Sequence, residues 1–263
     1  MAPAFDAAES PSAVVLVADG LRKAYGGVLA VAGVGLEVRR GEMVALIGPN
    51  GAGKSTLFNL LSGQTRPDAG SVRLFGEDVT DAPPRRLFRL GVGRGFQVAA
   101  AFASMTVREN LQTALLSHRG RLGGLWRPLA AMETARADAL LSRVGLSEQA
   151  DRACGVLSYG DLKRLDLALA LANGPKLLLM DEPTAGMAPG ERAALMALVA
   201  RVAREEGAGV LFTEHDMDVV FGHADRILVL DRGRMIAGGL PADVRADPRV
   251  REAYLGGWGD GRG

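Results

Sequence analysis

The chain has 263 residues, a formal net charge of +1, and 48% hydrophobic but only 5% aromatic residues. That balance gives no global field for nucleic acid or an anionic membrane surface, and the length supports one large core with at most a smaller subdomain. No run of eighteen uncharged apolar residues occurs, so no transmembrane helix is expected and any membrane role goes through a partner. Residues 1–12 carry Asp6 and Glu9 and no basic start, and read as a frayed tail rather than a secretory leader. Cys154 is the single cysteine; it reads as a small packing residue in a reducing compartment.

In chain order, residues 14–17 read as a strand and residues 22–27 as a loop. Alternating apolar residues over 28–38 suggest two short antiparallel strands, and Arg39, Arg40 and Gly41 turn the chain. Tyr25 sits in this loop, where its ring either stacks on a nucleobase or packs on its own hairpin. Residues 43–47 form a short apolar run that reads as a buried strand. It leads into Gly48, Pro49, Asn50, Gly51, Ala52, Gly53, Lys54, Ser55 and Thr56, followed by Leu57, Leu60 and Leu61 at helical spacing. This is G-x-x-x-x-G-K-[ST] between a strand and a helix, the context that phosphate binding needs. Glycines let backbone N–H groups converge on an anion, and the helix N-terminus adds its positive dipole end. Lys54 then reaches the β- and γ-phosphates of a bound nucleotide, and the Ser55 hydroxyl ligates Mg²⁺.

Residues 71–75 read as a strand and 85–90 as a helix opened by Pro83 and Pro84. Residues 91–97 form a glycine-rich strand edge ending in Gln97. From 106 to about 155 the pattern is helical, with Leu111, Leu115 and Leu116 on one face and an amphipathic segment over 131–144. The loop 120–127 between them shows Leu122, Leu125 and Trp126 without an evident task. A strong helix over 162–172 follows Ser158, Tyr159 and Gly160. Ser158 is either its N-cap or part of a second anion site.

An apolar strand over 177–180 ends in Asp181 and Glu182. Two adjacent carboxylates there are costly as mere structure, but opposite a phosphate loop Asp181 can hold Mg²⁺ and Glu182 can polarise the attacking water. The strand 209–213 ends in Glu214, His215 and Asp216. His215 is either a surface histidine or a residue on the edge where open α/β sheets bind ligands. Residues 226–236 give two short strands, and a helical tail begins at Pro241.

Together, Tyr25, loop 48–56, Gln97, Ser158 to Gly160, Asp181 and Glu182, Ala185 to Met187, and His215 resemble an ATP-binding-cassette (ABC) ATPase over residues 14–240. The resemblance implies an α/β fold: a P-loop NTPase core of ABC-ATPase type with an antiparallel β subdomain and an inserted helical subdomain. The domain is expected over 13–245, with helices inserted over about 98–160 and tails at 1–12 and 246–263. It also implies that Gln97 touches Mg²⁺ and the attacking water, that His215 contacts the γ-phosphate, and that Ser158, Tyr159 and Gly160 receive the ATP held on a second ATPase subunit. Gly93 to Gln97, Met105 to Asn110, Glu214 to Met217 and Glu252 to Gly256 resemble the ATPases of branched-chain amino acid importers. Two transmembrane permeases, an indirect solute-binding protein and the cytoplasmic face of the inner membrane follow from that resemblance. Lipopolysaccharide-export ATPases usually carry proline where this chain has Phe96. Soluble non-transport ABC proteins usually carry tandem cassettes, coiled coils or zinc hooks, none of which is read in this sequence, so that alternative is not expected. A regulator without turnover is the third alternative, and Glu182 and His215 argue against it. Two departures stand out: Asp161 replaces a usual Gln, and residues 98–101 are small.

Overall fold

The computed structural model describes residues 14–95, 101–118 and 133–254. Two sheets organise them. The larger is six-stranded, and its members are β3 (Met43–Ile47), β6 (Val92–Gly95), β7 (Leu177–Asp181), β8 (Gly209–Thr213), β9 (Arg226–Asp231) and β10 (Arg234–Gly239). Its order is β10-β9-β3-β8-β7-β6, parallel throughout except for β10, which runs antiparallel to β9. The central strands are apolar runs because both their faces are covered, as parallel sheets require. Successive side chains alternate between two cores. Met43, Ala45 and Ile47 join Leu141, Leu165 and Val199 on the helical side, while Val44 and Leu46 join Leu16, Val38, Phe58 and Leu61 on the other.

The second sheet is four-stranded and antiparallel, in the order β2-β1-β4-β5. Here β1 is Val14–Tyr25, β2 is Val28–Arg39, β4 is Ala69–Leu74 and β5 is Glu77–Asp78. Two expectations are corrected. Residues 22–25 are strand rather than loop, since β1 continues to Tyr25 and pairs with Val28 across a turn at Gly26 and Gly27. Residues 28–38 belong to one strand, not two; the register with β1 shifts at several points, so irregularities absorb the bend without ending it. Polar residues such as Arg22 and Lys23 suggested a loop because one face of this hairpin meets water.

Nine α-helices complete the described chain: α1 (Lys54–Leu61), α2 (Pro84–Leu90), α3 (Val107–His118), α4 (Thr134–Val144), α5 (Tyr159–Leu171), α6 (Pro189–Glu206), α7 (Met217–His223), α8 (Pro241–Ala246) and α9 (Pro248–Tyr254). Leu111 and Leu115 of α3, Ala137 and Leu141 of α4, and Leu165 of α5 share one core, so the middle of the chain is helical as expected. Arg108 ties this region together, pairing with Asp138 at 2.7 Å and with Asp151. Cys154 is buried beside Asn110, whose Nδ2 donates to Sγ at 3.1 Å, and burial raises the thiol pKa. That is the packing role expected of it. Val244 and Val250 are buried, which packs α8 and α9 onto the core. The loop 120–127, Gln97 with residues 98–100, and the tail 1–12 lie outside the described residues. Among the described residues, no helix is long and apolar enough to cross a membrane.

Candidate functional site

Strand order brings the candidate residues together. The ends of β3, β8 and β7 are neighbours, so the loop 48–56, His215 and the Asp181–Glu182 pair share the carboxyl edge of the sheet. Open α/β sheets bind ligands along this edge. The edge strand β6 ends at Gly95, two residues before Gln97, and it is anchored by Arg94. That guanidinium donates to Ser62 Oγ at 2.8 Å and Asn59 Oδ1 at 3.3 Å, just beyond and within α1.

The phosphate loop is a backbone cradle. A Cβ on Gly48 would lie 2.2 Å from the Leu230 carbonyl oxygen, and one on Gly53 would lie 2.3 Å from that of Ala30. Gly53 also has φ 103°, a conformation open mainly to glycine. It opens α1 without a side-chain cap, which leaves first-turn N–H groups for an anion. Gly233 N–H donates to the Ala52 carbonyl at 2.8 Å and ties the loop to the β9–β10 turn. The Lys54 ammonium is turned into the loop, donating to Gly48 O at 2.6 Å and Pro49 O at 3.2 Å. Burial lowers its pKa below the ordinary lysine value, while the charges of Glu182 and Asp181 pull it back up. Those two carboxylates are therefore the electrostatic neighbours of Lys54. Ser55, the next residue, is exposed in the first turn of α1.

Asp181 and Glu182 are half-buried. Asp181 Oδ1 accepts the Thr213 hydroxyl at 2.6 Å, and the same hydroxyl accepts the Glu182 N–H at 3.0 Å. Glu182 has φ 50°, rare for a residue with a Cβ. Its Oε1 lies 2.8 Å from His215 Nε2, so the imidazole donates when that nitrogen carries the proton. Sequence spacing placed His215 on the edge; it could not pair it with Glu182.

Around this pair the structure adds residues to which sequence reasoning assigned no role. Glu214 is only 5% exposed and accepts both the N–H and the hydroxyl of Thr184, at 2.8 and 2.6 Å. Asp216 caps α7 through the N–H groups of Asp218 and Val219 and pairs with Arg192 at 2.6 Å, while Arg192 Nε reaches the Met187 carbonyl at 2.7 Å. The turn through Ala185 and Gly186 is thus pinned at both ends to the turn carrying His215. The one available signal was three consecutive polar residues, Glu214 to Asp216, after a buried strand.

Ser158, Tyr159 and Gly160 are placed elsewhere. Ser158 is the N-cap of α5, its Oγ accepting Asp161 N–H at 3.1 Å. Tyr159 donates its hydroxyl to Ala185 O at 3.0 Å, with its ring against Gly186. Their hydrogen bonds do not reach the loop 48–56. Tyr25 is 49% exposed at the end of β1, and the Lys23 ammonium lies 5.7 Å from its ring centre.

Residues 31–185 match the ABC transporter family. The chain belongs to that family. Residues 234–257 match the branched-chain amino acid ATP-binding cassette transporter family, which places this ABC ATP-binding protein in the branched-chain amino acid type. It is 41% identical to the high-affinity branched-chain amino acid transport ATP-binding protein BraF of Pseudomonas aeruginosa, over 92% of this chain and 98% of that one. The LivG protein of Escherichia coli K12, described in the same words, is 40% identical over the same shares. Among solved structures, the ADP conformation of MJ1267, an ATP-binding cassette of an ABC transporter, aligns with TM-score 0.83 and 33% identity over 92% of this chain and 99% of that one. This ABC ATPase therefore has the cassette fold anticipated from its motifs, binds ATP and couples its hydrolysis to transport.

Proposed function

We propose that the chain hydrolyses ATP for an importer of branched-chain amino acids or a related small polar solute, acting peripherally at the cytoplasmic face of the inner membrane on two separate permeases. The observation that carries this reading is the match of residues 234–257 to the branched-chain type, added to the shared edge of β3, β7 and β8. The cassette domain is assigned to about 13–245, with residues about 98–160 as its helical insertion, residues 1–12 as an N-terminal tail and residues 246–263 as a C-terminal tail that begins with α9 packed on the core.

Each site residue has a task in this reading. Gly48 to Gly53 wrap the phosphates with backbone N–H groups, Thr56 adds to the α1 end of the cradle, and Lys54 neutralises the β- and γ-oxygens. Tyr25 stacks on adenine. Glu182 takes the proton from the attacking water, and His215, held on it at 2.8 Å, donates to the γ-phosphate or keeps the carboxylate oriented. Gln97 contacts the same water. Mg²⁺ suits the donors available: the Ser55 hydroxyl, the Asp181 carboxylate and the Gln97 amide oxygen are all hard oxygen ligands, with phosphate oxygens completing the set. When bound, the ion neutralises charge on the transferring phosphoryl group.

Ser158, Tyr159 and Gly160, whose bonds stay away from this chain's own phosphate loop, serve the ATP of a second ATPase subunit. Asp161 argues that the second subunit is a different chain. A homodimer places an acid beside both γ-phosphates, and Glu191, whose Oε1 would lie 3.1 Å from a Cβ on Gly160, adds another on the same face. Two unit charges about 6 Å apart repel by roughly 3 kcal/mol at an effective dielectric near 20. The Glu182→Gln chain with ATP is therefore expected to stay mostly monomeric in light scattering. Asp161→Gln in the same background is expected to promote ATP-dependent self-association. A tight ATP-bound homodimer with Asp161 intact would overturn the charge argument.

Transport itself is tested by reconstituting the chain with its permeases in liposomes. Solute-binding protein loaded with leucine, isoleucine or valine should stimulate ATP hydrolysis and drive uptake of that amino acid. Hydrolysis indifferent to all three would remove the solute assignment and leave the ATPase.

A further inference from the structure

Thr213 closes β8 and is fully buried, so its hydroxyl must find partners inside the protein. It finds two. It donates to Asp181 Oδ1 at 2.6 Å and accepts the Glu182 N–H at 3.0 Å. A hydroxyl donating to a carboxylate is short and of the stronger, charge-assisted kind. Asp181 and Thr213 are also register partners across β7 and β8, while Thr213 pairs with Leu46 of β3, two residues before Gly48. One side chain therefore sits beside the roots of the phosphate loop and touches both acidic residues.

The two bonds have separate consequences. Asp181 has one oxygen engaged by Thr213, and its second makes no hydrogen bond among the described residues. Glu182 has left-handed backbone, and the bond to its N–H helps hold that conformation, which aims the side chain at His215. Valine has the shape of threonine and favours strands, so it would fill the same space without either bond.

We propose that Thr213 is a positioning residue for metal-dependent ATP binding: its hydroxyl engages one oxygen of Asp181, reserves the other as the Mg²⁺ ligand, and pins the Glu182 backbone beside it. The proposal rests on reading Asp181 as the metal-facing carboxylate. Partners that orient a metal ligand typically contribute roughly ten- to a hundredfold to metal affinity. A hydroxyl that only satisfied itself would stabilise the fold without touching the metal.

The test measures ATP affinity of the full-length Glu182→Gln chain by calorimetry, once with Mg²⁺ and once with EDTA. Thr213→Val is expected to shrink the Mg²⁺-dependent gain in affinity about tenfold, leave the affinity in EDTA unchanged, and be rescued by Thr213→Ser. A loss of equal size in both conditions, or none in either, would overturn the proposal. Asp181→Asn separates it from the reading beneath it. That variant should erase the gain, with Thr213→Val adding nothing in the double variant. If Asp181→Asn keeps the gain, the metal assignment fails and Thr213 falls with it. If Asp181→Asn erases the gain and Thr213→Val does not, the role of Thr213 alone is refuted.

Discussion

Lys54→Ala is expected to lower ATP affinity by about a hundredfold or more, the scale of losing charge-assisted hydrogen bonds of about 3 kcal/mol in total. The ammonium is buried within the loop and already points at the carbonyls of Gly48 and Pro49, so little reorganisation separates it from the β- and γ-phosphates. The fold should survive the change. Burial lowers the Lys54 pKa, so the folded chain holds this proton less tightly than the unfolded chain does. At neutral pH burial of the charged side chain therefore opposes folding, and its removal relieves that cost while giving up the bonds to the Gly48 and Pro49 carbonyls, two opposing effects of similar scale. A melting temperature close to that of the unaltered chain, together with lost ATP binding in calorimetry, is the expected pair of results. Lys54→Arg should fail as well, because a planar fork does not replace a compact ammonium in a tight loop. Turnover at the normal rate in Lys54→Ala would sink the assignment of the loop.

How much of this was legible in the sequence depends on the range of the interaction. Strands Met43–Ile47 and Gly209–Thr213 match the segments read from the chain alone, because short apolar runs bounded by polar or glycine residues are local signals. The Ser158 cap of α5 is local too, three residues from its partner. β1 was read too short for the opposite reason: its far end owes its strand state to pairing with β2 and β4, which outweighs the polar composition of residues 22 and 23. The site shows the same division. Gly48 to Thr56 form one continuous motif, whereas Glu214 meets Thr184 across 30 residues and His215 meets Glu182 across 33. Only the fold supplies those pairs, through the adjacency of β7 and β8. Buried Glu214 illustrates the limit: a charge after an apolar strand reads as solvent-facing until its two donors on Thr184 are known.

Glu182→Gln is expected to keep ATP binding while hydrolysis falls by about a hundredfold or more, the usual contribution of a general base. The amide is isosteric and its oxygen can still accept from His215 Nε2, so the contact at 2.8 Å and the side-chain position should persist. What disappears is basicity. Loss of one negative charge near Lys54 also removes repulsion towards a triphosphate, so affinity should hold or rise. Glu182→Ala provides a contrast, because it abandons the His215 contact as well and leaves a small residue at φ 50°. If both variants lose turnover to a similar extent while only Glu182→Gln retains the orientation of His215, proton removal is the dominant task of Glu182. Single-turnover hydrolysis of radiolabelled ATP measures this directly, with binding followed in parallel by calorimetry. Hydrolysis at an undiminished rate in Glu182→Gln would move the base to another residue, and His215 would be the first to examine, since its Nε2 lies within hydrogen-bond reach of the Glu182 carboxylate.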